Sequence, residues 1–368
     1  MSPGSVERAR RSSHPVGQLF LALGLLAVVI GAIVVGFLAL YKEFWGPGAF
    51  AERYVETIAA GDASGALAIP GVTPEFAELE EIDRGYASEA LLRSAALVSE
   101  IDDVRVVDDV ATMTGDREVH VVTLEFTLDG ESDQMVFRVE RDESDGLVPA
   151  WRFETSPLAV IDLTVRGSWR FSVNDFEIDK RQISPAGVDA KPLDTISLLT
   201  FSPGVYDVAV DTAATSAPAE EVRATGLLEK IPLDVQTVPT RELTNVVQSS
   251  VENFLDETCT TQSVLQPGDC PFGYDASWGI AQPDIDWSIA TYPRTALVPD
   301  GDDWRVSSTS GVAHISLSVL CYSNGAVIPV DEDVHFTMIA EVDVRDDGGV
   351  HITIDRDGEQ PLTTNHCA

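Results

Sequence analysis

The sequence predicts an α+β protein: one transmembrane helix, then an α+β cone-like domain, a small all-β module and a C-terminal α+β domain with disulfides. Three observations predict it. The run Leu19 to Leu40 is uncharged and long enough to cross a bilayer. Beyond it, helix-period stretches give way to period-two stretches twice, near residues 100 and 260. All four cysteines fall in the last third of the chain.

The 22 residues from Leu19 to Leu40 (LFLALGLLAVVIGAIVVGFLAL) carry no charge. At about 1.5 Å of rise per residue they reach roughly 33 Å as a helix, enough for a hydrocarbon core. Arg8, Arg10 and Arg11 precede the run, and Lys42, Phe44 and Trp45 mark its far edge. The positive-inside rule then puts residues 1–15 in the cytoplasm and the chain beyond the run outside the cell. A cleaved signal peptide is the alternative, with Ala49-Phe50-Ala51 as a small-x-small site. Its apolar core is usually only about 7–15 residues long. The expected divisions are a cytoplasmic tail 1–15, a membrane helix 16–41, a cone-like domain 45–156, an all-β module 157–239 and a C-terminal domain 240–368. Gly17, Gly24 and Gly31 recur every seven residues. Small residues on one face let two helices approach, so a homodimer through this helix is one reading. The other is that glycine is simply common in such helices.

Charge excludes more than it identifies. Lys and Arg number 24 against 60 Asp and Glu, a net charge of −36. No basic footprint exists for nucleic acid, and anionic headgroups would repel the outer part. Cationic partners and divalent ions stay open beside the plainer reading that the carboxylates solvate the surface.

Residues 49–99 read as helical. Phe50, Tyr54, Ile58 and Ala59 lie near helical spacing, Gly61-Asp62 breaks the pattern, and Ala63 to Ile69 and Ser88 to Leu97 suggest two more helices. From about Val104 the period is two. Val119 to Leu128, the Asp129-Gly130 turn, Gln134 to Glu140, Asp145-Gly146 and Trp151 to Glu154 read as an antiparallel meander. The opening FAERYVETIAAGDASGALAIPG and the hairpins FTLDG and VFRVERDESDGLVPAWRFETSPL resemble the nuclear transport factor 2-like domains of bacterial envelope proteins. The resemblance covers about a hundred residues and implies a cone-shaped fold. It carries no catalytic residue, since that superfamily hosts both enzymes and interaction domains.

Residues 157–240 read as all-β. Leu163 to Arg166, Trp169 to Val173, Phe176 to Ile178, Ile196 to Phe201, Tyr206 to Val210 and Leu233 to Val238 are strands, with Asn174-Asp175 and Pro203-Gly204 as turns and Thr212 to Glu221 as a loop. The pattern VNDFEID followed by LLTFSPGVYDVAV is similar to small modules of membrane-anchored cell-wall proteins, including the teicoplanin-resistance-associated family. This chain lacks that family's cytoplasmic zinc ribbon, so the likeness is architectural.

Thr240 reads as the N-cap of a helix with Leu243, Val246, Val247, Ser250, Val251, Phe254 and Leu255 on one face. Strands follow at Trp287 to Tyr292, Trp304 to Ser308, Ala313 to Tyr322, Val334 to Val344 and Val350 to Ile354, with 346–349 as a turn. Four cysteines allow three connectivities. Cys259–Cys270, closing a short loop, and Cys321–Cys367, tying the tail to a strand, are favoured; their spacing is unlike a zinc site.

The search for chemistry finds no Gly-x-Ser-x-Gly, Ser-x-x-Lys, His-Glu-x-x-His, Walker loop or Gly-x-Gly-x-x-Gly, hence no catalytic, cofactor or metal residues. His14, His120, His314, His335, His351 and His366 have no ligand-like spacing. Asp284 with Asp286, and Asp300 with Asp302 and Asp303, read as solvated carboxylates. Asp355, Asp357 and Glu359 only partly match a calcium loop. The expectation is a non-enzymatic interaction or scaffold protein of the envelope, binding another envelope component. The alternatives are a receptor for a small ligand or cell-wall fragment, with a pocket on the 119–154 sheet, and an envelope hydrolase.

Overall fold

A computed structural model describes residues 23–26, 28–32, 36, 44–142, 150–301, 303–345, 349–358 and 364–367. Residues 1–22 and the Asp145-Gly146 turn lie outside the described residues, as does most of 16–41. Those of the apolar run that are described are helical. Among the described residues no helix is long and apolar enough to cross a membrane. This corrects the expected single-pass helix and, with it, the expected placement of the tail inside and the domains outside the cell. The α+β class is also corrected. The described residues are mostly β, 47 % strand against 20 % helix.

Contacts divide the chain into two units. The first runs to Thr73 and resumes over Glu100–Ser156; the second is Pro74–Ser99 with Pro157–Ala368.

In the first unit, the helix Pro47–Ala59 opens with proline in its first turn, where a missing N–H costs nothing. Phe50, Tyr54 and Ile58 fall four apart and are buried. They pack on an antiparallel meander of β1 (Ile101–Thr114), β2 (Arg117–Leu128), β3 (Glu131–Asp142) and β4 (Ala150–Phe153), in that order. The Tyr54 and Phe153 rings meet edge-on at 5.3 Å. Asp129 and Gly130 both take positive φ, as a tight hairpin turn requires. Gly71, at φ +80°, lets the chain pass so close to β4 that a Cβ there would stand 2.3 Å from the Phe153 carbonyl oxygen.

The second unit begins with the segment 74–99. Ser88 to Leu97 forms no α-helix, contrary to its spacing. Only Ser94–Ala96 makes a 3₁₀ turn, while Ser88 bridges to a strand and Leu91 and Ala96 enter the core. That core is a sandwich. One sheet has the order β11 (Lys230–Gln236), β5 (Leu158–Arg166), β8 (Ile196–Phe201), with β5 and β11 parallel. The other has the order β12 (Val238–Pro239), β10 (Thr215–Ala224), β9 (Gly204–Asp211), β6 (Arg170–Val173), β7 (Phe176–Asp179). β5 is buried along almost its whole length, as a strand covered on both faces must be. The expected loop 212–221 is mostly strand β10. A bulge between Ala217 and Glu220 takes Pro218 out of the ladder.

The rest of this unit starts at the helix Arg241–Asn253. The Thr240 hydroxyl caps it by accepting from the Leu243 N–H at 3.1 Å. Leu243, Val247, Val251 and Leu255 are buried, and Val246 is exposed. They share a core with a sheet ordered β13 (Gly279–Ala281), β16 (Asp303–Cys321), β17 (Val327–Val344), β18 (Val350–Arg356). β14 (Asp286–Thr291) and β15 (Leu297–Asp300) also pair with β16. The two stretches expected on either side of residue 310 are one 19-residue strand.

Candidate functional site

Both disulfides form with the favoured connectivity, Cys259–Cys270 and Cys321–Cys367. The first lies in the C-terminal core; the second holds the tail, where Ser323 also donates to the Cys367 carbonyl at 2.9 Å. Gly17 lies outside the described residues. Gly24 and Gly31 are helical, and a Cβ at either would meet nothing within 4 Å. Of the histidines, His120 contacts Asp109 at 2.8 Å and His366 contacts Glu332. His314 Nδ1 lies 2.9 Å from Asp333 and Nε2 3.2 Å from Asp331. The bond to Asp333, with the charges of both carboxylates, raises its pKa above the ordinary histidine value. Asp284 accepts from the Ser318 hydroxyl at 2.8 Å. Asp302 and Glu359 lie outside the described residues. Among the described residues no group of three His, Cys, Asp or Glu could hold a metal ion.

The residues that do converge are ones the motif search passed over. A pocket of about 530 Å³ opens on the second unit and is lined from six separated places in the sequence. None of them belongs to the 119–154 sheet.

The first wall is the loop from β5 to β6. Gly167 has φ +80°, and a Cβ there would stand 2.5 Å from Thr237 Oγ1 and 3.1 Å from the Trp304 ring. Glycine is thus what lets this loop seat against buried Trp304 of β16. Trp169 follows, half-buried. The Lys180 ammonium lies 5.3 Å from the centroid of its ring and the Arg181 guanidinium 5.1 Å. Lys180 is only 2 % exposed, and its ammonium donates to the backbone carbonyls of Val165, at 2.8 Å, and Pro192. A buried charge needs such partners. Here they fix the base of the Trp169 wall.

The second wall is the turn from β7 into the short helix Lys180–Ile183. Asp179 caps it and holds Arg181 by its Nε at 2.9 Å and Nη2 at 2.5 Å. That pairing, against partial burial and with Arg170 nearby, keeps the Asp179 carboxyl below the usual carboxylate range. Arg170 differs. Its guanidinium stands 3.7 Å from Glu177 and 4.0 Å from Asp179, at ion-pair range without a hydrogen bond among the described residues.

The third wall is the β9–β10 hairpin, Asp211 to Thr215. The Thr212 hydroxyl accepts from the Thr215 N–H at 2.9 Å. Thr240 donates to the Ala213 carbonyl at 2.6 Å, tying hairpin to helix start. The pocket closes with Asp303 and Trp304 of β16 and with Asp343, Val344 and Arg345 at the end of β17. The Arg345 guanidinium has no hydrogen bond or ion pair among the described residues. A smaller cavity of about 130 Å³ adjoins, sharing Arg170, Glu177, Asp211 and Thr212 with the first and adding Ser172 and Asp175.

The larger cavity therefore presents three arginines and four carboxylates around one tryptophan wall. Its volume lies within the roughly 300–1,000 Å³ of small-molecule sites. Nothing in the sequence marks these residues as a set. No family model matches this chain, and neither a curated protein nor a solved structure does. The likenesses drawn from short stretches of sequence rest on those residues alone.

Proposed function

We propose that the chain is a non-enzymatic binding protein and that the Trp169 pocket is where it takes its ligand. One observation carries the reading: two arginine forks, Arg170 and Arg345, line a cavity of ligand size and make no side-chain hydrogen bond among the described residues, Arg170 meeting Glu177 and Asp179 only at ion-pair range. A guanidinium has five N–H donors, and a cavity that leaves them open offers them to a bound group. The walls are held by hydrogen bonds at Asp179, Lys180 and Thr212, so little ordering is needed on binding.

A ligand-detected NMR screen of mixed sugars, peptides, nucleotides and amines against the full chain tests this. Ala213→Trp fills the cavity from an exposed hairpin position and leaves the core untouched. Hits that disappear with Ala213→Trp and weaken with Arg345→Ala are the expected result. If every hit survives both substitutions, or no compound binds, the reading is wrong.

A further inference from the structure

Resting on that binding reading, we infer that the ligand is a neutral, hydroxyl-rich chain, a short oligosaccharide, lying across both cavities over the Arg170–Glu177 pair.

The argument starts from the signs of the lining charges. Arg170, Arg181 and Arg345 face the same space as Glu177, Asp211, Asp303 and Asp343. An anion entering it meets four carboxylates, inside a chain whose net charge is −36. A cation meets three guanidinium groups. Either ion gains from one set and is opposed by the other. A hydroxyl is opposed by neither, because it donates to a carboxylate and accepts from an arginine. Hydrogen bonds with one ionised partner are about twice as strong as neutral ones, so this lining suits hydroxyls in number. Trp169 supplies the remaining feature, an apolar wall beside the polar groups.

Shape argues for a chain over a single ring. The second cavity continues the first, and the two share Arg170, Glu177, Asp211 and Thr212. Those four line both compartments, so a ligand filling both lies against them. The smaller compartment adds Ser172 and Asp175, again donors and acceptors suited to hydroxyls.

The test uses the full chain, calorimetry and tryptophan fluorescence. The probes are chitotriose, cellotriose and maltotriose, with end-capped trilysine and triglutamate as charged probes of similar length. At least one neutral trisaccharide should bind. Its Kd should change by less than about twofold between low and high salt, since screening acts on charged ligands. Asp211→Asn and Arg345→Ala should each weaken it about tenfold, the loss of one charge-assisted bond. Ala213→Trp should abolish it, while Asp102→Asn, on β1 of the other unit, should leave it unchanged. If trilysine or triglutamate binds in an Ala213→Trp-sensitive way and no sugar does, the pocket reading stands and the oligosaccharide falls. If no probe binds, or binding ignores Ala213→Trp, the oligosaccharide is refuted, and the broader screen decides the pocket.

Discussion

Arg84→Met should cost the second unit about 2 kcal/mol at neutral pH, and the loss should fade in acid. Arg84 reaches from the segment 74–99 to Asp162 on β5. Its Nε donates to Asp162 Oδ1 at 2.9 Å and its Nη2 to Oδ2, while the Ser197 hydroxyl donates to Oδ1 at 2.7 Å. Asp162 is only 8 % exposed. Methionine keeps the stem of Arg84 and removes the fork, leaving the carboxylate with Ser197. Hydrogen bonds to a charged group contribute about 1.5–3 kcal/mol, and breaking a fully buried pair costs about 3–5. Arg84 is 31 % exposed, so water moderates the loss and the lower range applies. Burial alone would push Asp162 up. The hydrogen bonds from Arg84 and Ser197, with the charges of Arg84 and Lys230, outweigh it and hold the carboxyl below its usual value. A carboxyl depressed by folding adds stability above its unfolded pKa, near 3.9, and that stability is lost as pH falls through the folded value. Without Arg84 the burial effect dominates, and protonation of Asp162 relieves the variant. Urea denaturation at about pH 7 and about pH 4 measures this, and Arg84→Met/Asp162→Asn should recover most of the loss. A deficit under about 0.5 kcal/mol at neutral pH, or one that does not shrink in acid, would refute the reasoning.

The other predictions concern links that set the same unit. The disulfides close loops with sequence separations of 11 and 46 residues. Chain-entropy estimates give about 3 kcal/mol for the shorter loop and about 4 for the longer. Hydrogen exchange should show Cys321→Ala/Cys367→Ala loosening residues 364–367 first, and equal protection in the variant would contradict a tethering role. His314 is raised by its bond to Asp333 and by the Asp331 and Asp333 charges, so its contribution is full below the unfolded pKa of about 6.5 and is lost as pH rises through the folded value. At this partly exposed site the effect is below about 1 kcal/mol, and His314→Gln should flatten that part of the stability–pH curve. Gly167→Ala should cost at least about 1–2 kcal/mol from left-handed backbone alone, before contact with Thr237 and Trp304 is counted. Thermal melting and the emission of Trp304 report it.

Much of the secondary structure was legible because it depends on neighbours in sequence. Phe50, Tyr54 and Ile58 mark their helix by spacing, and Asp129-Gly130 marks its hairpin by the backbone it needs. Thr240 marks a cap because its hydroxyl meets an N–H three residues on. The misreadings share a cause. Ser88 to Leu97 has helical spacing, yet Leu91 and Ala96 are claimed by the sandwich core and Ser88 by β8, so tertiary packing overrode local propensity. Thr212 to Glu221 reads as a loop because Pro218 and two glutamates interrupt its alternation. The bulge that accommodates them shows only in the pairing with β9. Hydropathy over 19–40 counts apolar side chains alone, and among the described residues no helix is long and apolar enough to cross a membrane.

The pocket was illegible for a different reason. Its walls are turns and strand ends, and each turn has a local explanation that accounts for its residues without any ligand. Gly167 serves a loop, Asp179 caps a helix and Thr212 closes a hairpin. Arg170 and Arg345 read as ordinary charges at strand ends. Only the fold sets Arg170 and Arg345 around the same space, and they come from β6 and the end of β17, about 175 positions apart in the chain. A motif search looks for chemistry at fixed spacing, and this site has none. What marks it is an imbalance visible only in three dimensions. Arg181 is hydrogen-bonded to Asp179, whereas Arg170 meets Glu177 and Asp179 only at ion-pair range and the Arg345 guanidinium has no partner among the described residues. A folded chain with carboxylates to spare, 60 against 24 basic groups, could have hydrogen-bonded both guanidinium groups. Leaving them open beside Asp211 and Asp343 keeps donors and acceptors exposed together, which is the condition a hydroxyl-bearing ligand requires.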